Sequence, residues 1–202
     1  MTSTIAVSTT ISAPSTRRAV IRWTISFLGF PLGGLAAWLL TGPVTDTTSA
    51  VAGGLLTGAV LGAAQAWALS ARRRAIITWV SATAVGMAVG LAAGASLVGF
   101  STGLPDLALQ GAVCGAAVGL AQAVVLWRRT GPLALAWPGY LAAAWALGWT
   151  VTTSAGIGVE EQFTVFGASG ALVVALLTAV LPLVLRARPR STQQGLSSRV
   201  SA

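Results

Sequence analysis

Few side chains in this sequence are equipped for chemistry, and their kinds and spacing narrow what that chemistry is. There are four acids, one cysteine and no histidine, and all twelve cations are arginine. Without imidazole or amine, a serine hydroxyl lacks a general base and a metal ion lacks its usual nitrogen ligands. No acid lies in the middle of an apolar stretch, so paired intramembrane carboxylates are not expected either. The chain therefore reads as non-enzymatic, with no cofactor and no metal. Cys114 stands alone, which forbids an internal disulfide and suits a small buried hydrophobe. Asp46, Asp106 and the pair Glu160–Glu161 occupy three separate loops. Carboxylates so distributed either cap helices or ring the mouth of a pore as a vestibule that gathers cations. Gln65 and Gln122 are the only glutamines deep inside apolar stretches. An amide there is expected to face protein, meeting the other glutamine or a backbone carbonyl, because an unpaired amide in lipid costs several kcal/mol.

The elements that carry these residues are membrane-spanning helices. Hydrophobic residues make up 55% of the chain and charged residues 8%, too few charges to coat a soluble domain. Six apolar stretches, 19–41, 49–70, 75–100, 107–127, 133–155 and 163–185, each approach the roughly 20 residues that a bilayer requires. No alternating strand pattern runs through them, and lipid forbids unpaired backbone, so helix is the expected state. Short loops make consecutive helices antiparallel neighbours.

Charge sets the orientation. Arg17 and Arg18 precede the first stretch and Arg22 stands just inside its start, where it is expected to snorkel to the inner headgroups; Arg72, Arg73 and Arg74 follow the second, Arg128 and Arg129 the fourth, and Arg186, Arg188, Arg190 and Arg199 the sixth. The acids fall in the alternate loops. Arginine-rich loops stay in the cytoplasm, so both termini are expected inside a bacterial plasma membrane, with the inner arginines on anionic lipid headgroups. The net charge of +8 is spread over helix ends and does not form the single patch that nucleic acid needs. Residues 1–18 and 187–202 read as disordered cytoplasmic tails around a transmembrane domain at 19–186. Trp23, Trp67, Trp79, Trp127 and Trp137 near the arginine ends, with Trp38 and Trp149 opposite, read as an interfacial belt. Trp145 is deeper and reads as packed between helices. Pro31, Pro138 and Pro182 fall inside stretches and are expected to kink them. Thr150, Thr152, Thr153 and Ser154 read as hydroxyls bonded back to their own helix.

The sequence also repeats itself. Gly54, Gly58, Gly62 and Gln65 recur at identical spacing as Gly111, Gly115, Gly119 and Gln122, with Arg72 and Arg129 following. At 100° per residue these positions share one narrow helix face, a stripe along which a neighbouring backbone approaches closely. Trp23, Trp79 and Trp137 open the other helix of each unit, and Gly34, Gly90 and Gly148 follow eleven residues later. The chain thus reads as three tandem parallel hairpins, roughly 19–74, 75–131 and 132–190. In the third, Gly170 keeps its place while Val174, Thr178 and Leu181 fill the later stripe positions. The fold class expected is an all-α integral membrane bundle of six helices with pseudo-threefold symmetry.

The Gly-x3-Gly-x2-Gln stripe followed by arginines resembles that of uncharacterised bacterial multi-pass membrane proteins built from repeated hairpins. That resemblance implies a fold and a location and no activity. The favoured function is an accessory or scaffold subunit of the membrane that oligomerises or holds a partner membrane subunit through a small-residue face. A small-solute permease or the substrate-binding subunit of a transporter is one alternative, and lipid or isoprenoid binding the other. A transporter calls for a continuous polar cavity, a scaffold for a dry glycine-packed centre, and a lipid binder for an apolar groove open to the side with arginines at its inner mouth.

Overall fold

A computed structural model describes residues 15–156 and 168–187. These residues are mainly helical, with no strand among them. The helices are α1 (Thr16–Ile25), α2 (Gly29–Thr41), α3 (Thr47–Ala68), α4 (Arg73–Leu97), α5 (Leu104–Thr130), α6 (Trp137–Ser154), α7 (Ala168–Thr178) and α8 (Val180–Ala187). Most of the two tails, together with Arg188, Glu160 and Glu161, lies outside the described residues.

Two of the three prolines shape the helices. A tight 3-10 turn, Ser26–Leu28, separates α1 from α2. Pro31 follows directly; it has no N–H for the Phe27 carbonyl, and its ring crowds that oxygen. Pro182 sits just beyond the break between α7 and α8 and leaves the Thr178 carbonyl without its helical donor in the same way. Pro138 does not kink a helix interior. It lies at the start of α6, where its missing N–H costs nothing.

Among the described residues, five helical runs are long and apolar enough to cross a membrane: Thr16–Thr41, Thr47–Ala68, Arg73–Leu97, Leu104–Ser154 and Ser169–Ala187. The fourth is 51 residues long, about 75 Å if it were straight, against roughly 30 Å of hydrocarbon. It is not straight. Gly131 takes a φ of +56°, a 3-10 turn runs from Gly131 to Ala136, and α6 folds back along α5.

From α2 to α7 each helix packs on the next in sequence, and α7 and α8 return to α1, closing a ring. Glycine makes these contacts close. A Cβ at Gly58 would stand 2.7 Å from the Ala84 Cα, and one at Gly119 would stand 2.6 Å from the Pro138 Cα. Large apolar side chains instead cover the outside: Leu40 is 73% exposed, Val124 71% and Leu135 68%. A surface of that kind needs lipid or protein against it.

The two ends of the ring carry opposite charge. Arg22 reaches across from α1 to the end of α3, donating from Nη1 to Ser70 Oγ (2.8 Å) and from Nη2 to the Trp67 carbonyl. Its guanidinium lies 4.4 Å from the centre of the Trp67 ring. Arg22 had been expected to snorkel to headgroups from within its span. It is instead clamped to a helix C-terminus, where carbonyls without helical donors attract a cation. The arginines at 72–74 and 128–129 flank the helix ends on this side. Asp46 and Asp106 open α3 and α5 at the other end.

Candidate functional site

The repeat glycines all meet a neighbouring helix. Gly54, Gly58 and Gly62 of α3 face α4, and Gly111, Gly115 and Gly119 of α5 face α6. Because a side chain is missing at each crossing, the glutamine one turn further along comes within reach of the partner helix.

There the structure builds a polar girdle. Gln122 Nε2 donates to Gln65 Oε1 (3.2 Å) and to Thr83 Oγ1 (3.0 Å), while Trp137 Nε1 donates to Gln122 Oε1 (2.9 Å). Trp79 Nε1 donates to Gln65 Oε1 at 3.1 Å. The proton arrangement follows from chemistry alone. An indole N–H only donates, so the atoms facing Trp79 and Trp137 must be amide oxygens. That turns the Gln122 nitrogen toward Gln65 and Thr83. Thr83 has already donated its own proton to the Trp79 carbonyl (2.9 Å), so its oxygen is free to accept. Both N–H groups of Gln122 are thereby used, at a residue only 1% exposed.

A third indole closes the ring. Trp23 Nε1 donates to Thr178 Oγ1 at 3.0 Å, joining α1 to α7, while that hydroxyl donates to the Val174 carbonyl at 2.7 Å. Trp23, Trp79 and Trp137 hold the same place in the sequence repeat, and each bonds the helix that precedes it around the ring. This corrects their expected position in an interfacial belt. All three are buried and point into the bundle, whereas Trp67, Trp127 and Trp38 are exposed. Depth along a helix can be read from sequence. The side of the helix on which an indole stands depends on finding a partner for its N–H.

Two cavities lie on the far side of this girdle from the arginines. The smaller, about 50 Å³, rests on Trp23, Gln65, Gln122 and Trp137. The larger, about 420 Å³, extends from Thr57 and Cys114 to the loops at 43–44 and 100–102. Trp145, which packs edge-on against Phe30 (5.3 Å between ring centres), lines both. Among the described residues, no charged side chain lines either cavity. Cys114 is buried with Sγ 3.5 Å from Met87 Sδ. Gln110, which the sequence places only near a helix end, lines the larger cavity.

The outer acids serve their own loops. Asp46 caps α3: Ser49 N–H donates to its Oδ1 (2.8 Å), and Asp46 N–H donates back to Ser49 Oγ (3.1 Å). The Ser49 amide holds the Asp46 carboxyl below the ordinary carboxylate range, against a weaker opposing push from desolvation. Asp106 lies in the first turn of α5 and accepts from Ser101 Oγ. Thr150 and Thr152 donate to the carbonyls of Ala146 (2.9 Å) and Gly148 (3.0 Å) in their own helix, whereas the Thr153 hydroxyl, expected to do the same, is buried without a hydrogen-bond partner among the described residues.

Among the described residues, no group of three or more His, Cys, Asp or Glu could hold a metal ion. No protein-family model, no curated protein and no solved structure matches this chain.

Proposed function

We propose that the chain is a six-span protein of the bacterial plasma membrane, built from three parallel hairpins with both termini in the cytoplasm, and that it acts as a non-enzymatic accessory or scaffold subunit. The fold-back at Gly131 supports six crossings, since it divides the longest run into α5 and α6, each about a bilayer long. The bond of each repeat tryptophan to the preceding helix supports the threefold relation. The positive-inside tendency supports the orientation, because the arginine end then faces the cytoplasm and the Asp46–Asp106 end faces out.

One observation carries the functional reading: the Gln65–Gln122–Trp137 girdle spends its polar groups on one another at the arginine side of the ring. A conduit for polar solutes needs polar groups left over to replace water around its cargo. Here the paired amides and tryptophans occupy the centre of the ring at that level, and the space of about 240 Å³ nearer the arginines has an almost wholly apolar wall, including Leu126, Leu133, Val180 and Val184. The accessory role follows, with the apolar exterior available to a second copy or a partner membrane subunit. In reconstituted liposomes the protein is expected to leave cation and small-solute flux at the level of empty liposomes. Flux above that level which falls when Asp46 and Asp106 are neutralised would replace this reading with a permease.

A further inference from the structure

The larger cavity has the chemistry of a binding site. Two polar side chains in its wall have no protein partner. Gln110 is 9% exposed as a residue and Thr57 7%; both line the cavity, and neither side chain makes a hydrogen bond to any described residue. Buried polar groups are nearly always satisfied, by protein or by something bound. The girdle meets that rule with every indole and amide oxygen paired, whereas Gln110 and Thr57 turn their polar groups to the open space of the cavity; the sealed side-chain atoms without a partner among the described residues, Arg22 Nε and Thr153 Oγ1, lie elsewhere.

The rest of the wall defines what fits. Five aromatic side chains, Phe30, Trp38, Phe100, Trp145 and Trp149, surround the space, and aromatic faces favour a ring stacked or set edge-on between them. A charged ligand would find no counter-ion among the described residues of this wall. The carboxamide and the hydroxyl can each donate and accept, so they suit carbonyl or hydroxyl groups. The volume of about 420 Å³ falls within the usual range for small-molecule pockets. Thr57 lies ten residues into α3, about 15 Å along the helix from its start. The polar contact is therefore well below the outer loops, at a depth that a membrane-dissolved molecule reaches more readily than a water-dissolved one.

We propose that this cavity binds a neutral, ring-bearing amphiphile whose ring carries carbonyl or hydroxyl groups, held by Gln110 and Thr57 among the aromatic side chains. The site lies toward the carboxylate end, and no arginine stands at its mouth. Its ligand is therefore recognised by its ring and neutral head, not by an anionic headgroup. Gly34 offers an independent handle. It lines the cavity, and a Cβ built there meets nothing within 4 Å. A leucine at this position projects into open space without striking a neighbouring backbone.

The test uses the full chain in lipid nanodiscs and a dimethoxy-methyl-benzoquinone bearing a single prenyl unit, a quencher of tryptophan fluorescence. The proposal rests on the membrane reading for the ligand's route of entry, so nanodisc incorporation is measured first; a chain that fails to insert is thereby distinguished from one that inserts and does not bind. Wild type is expected to show saturable quenching. Gln110→Leu is expected to weaken it about tenfold, and Gly34→Leu to remove the saturable part, both with the thermal midpoint of the unliganded protein preserved. Absence of saturable quenching in wild type would overturn the proposal. So would equal quenching in all three proteins, or relief of the quenching by decanoate at a concentration equal to that of the quinone, since an anionic chain without a ring does not match this wall.

Discussion

Gln122 Nε2 lies 3.2 Å from Gln65 Oε1, joining two helices through the same position of a repeat 57 residues apart. Each amide also takes an indole N–H, so the pair fixes four helix contacts with two side chains. Gln122→Leu keeps the approximate volume and leaves the Trp137 N–H and Thr83 oxygen without their partner. It is expected to destabilise the protein by about 1–3 kcal/mol. Gln65→Leu should show coupling to it of roughly 0.6 kcal/mol, and at most about 1.7, in a double-mutant cycle read by unfolding in mixed micelles. Additive effects of the two variants would mean the amides do not interact.

The glycine stripe predicts a contrast between positions. Gly58→Ala puts a Cβ 2.7 Å from the Ala84 Cα and is expected to cost about 1–3 kcal/mol by overpacking. Gly139 is also helical, but a Cβ there meets nothing within 4 Å. Gly139→Ala is therefore expected to be neutral or to stabilise by up to about 1 kcal/mol through helix propensity. Thermal midpoints of the two variants in the same detergent check the contrast, and equal losses would contradict it.

Trp23 closes the ring between α1 and α7. Trp23→Phe removes the N–H donor to Thr178 while retaining most of the ring. The expected effect is a loss of about 0.5–1.5 kcal/mol. Thr178→Val should lessen the further effect of Trp23→Phe to the packing loss alone, because the same bond is already gone. The double variant, compared with each single one in thermal unfolding, decides this.

The cap at Asp46 makes acid stability depend on one carboxyl. Its pKa is lowered in the folded chain below the ordinary value of 3.8. The stability it contributes is thus present above that unfolded value and is lost as pH falls through the folded one. Asp46→Asn keeps an acceptor for the Ser49 amide without titrating. It should flatten the acid limb of a Tm-against-pH curve below about pH 4 and leave the curve near neutrality unchanged. An identical acid limb in both proteins would show that this cap does not contribute.

Hydrophobicity, charge alternation and the spacing of Gly54, Gly58, Gly62 and Gln65 were enough to read long apolar helices and the face on which they meet. The partners on that face were not legible. Trp79 and Trp137 follow Gln65 and Gln122 by 14 and 15 residues, a recurring offset in the sequence. Near a membrane boundary, however, tryptophan has two good environments, headgroups and buried acceptors. Only packing decides between them. Gln110 was hidden for a different reason: it precedes Gly111, outside the repeated motif, and its significance lies in a cavity formed by residues scattered over five helices and their loops. The break before Pro31 was visible in the sequence, whereas the compact reversal at Gly131 depends on a positive φ that composition does not reveal.

The account depends on the arginine end and the carboxylate end lying on opposite sides of one bilayer. Cysteine labelling tests this most directly. In a Cys114→Ser background, Thr48→Cys and Thr102→Cys are expected to react with a membrane-impermeant maleimide in intact cells. Ser70→Cys and Arg129→Cys are expected to react only after permeabilisation. Labelling of Ser70→Cys or Arg129→Cys in intact cells, at the rate found for Thr48→Cys, would contradict the six-span arrangement and the function drawn from it.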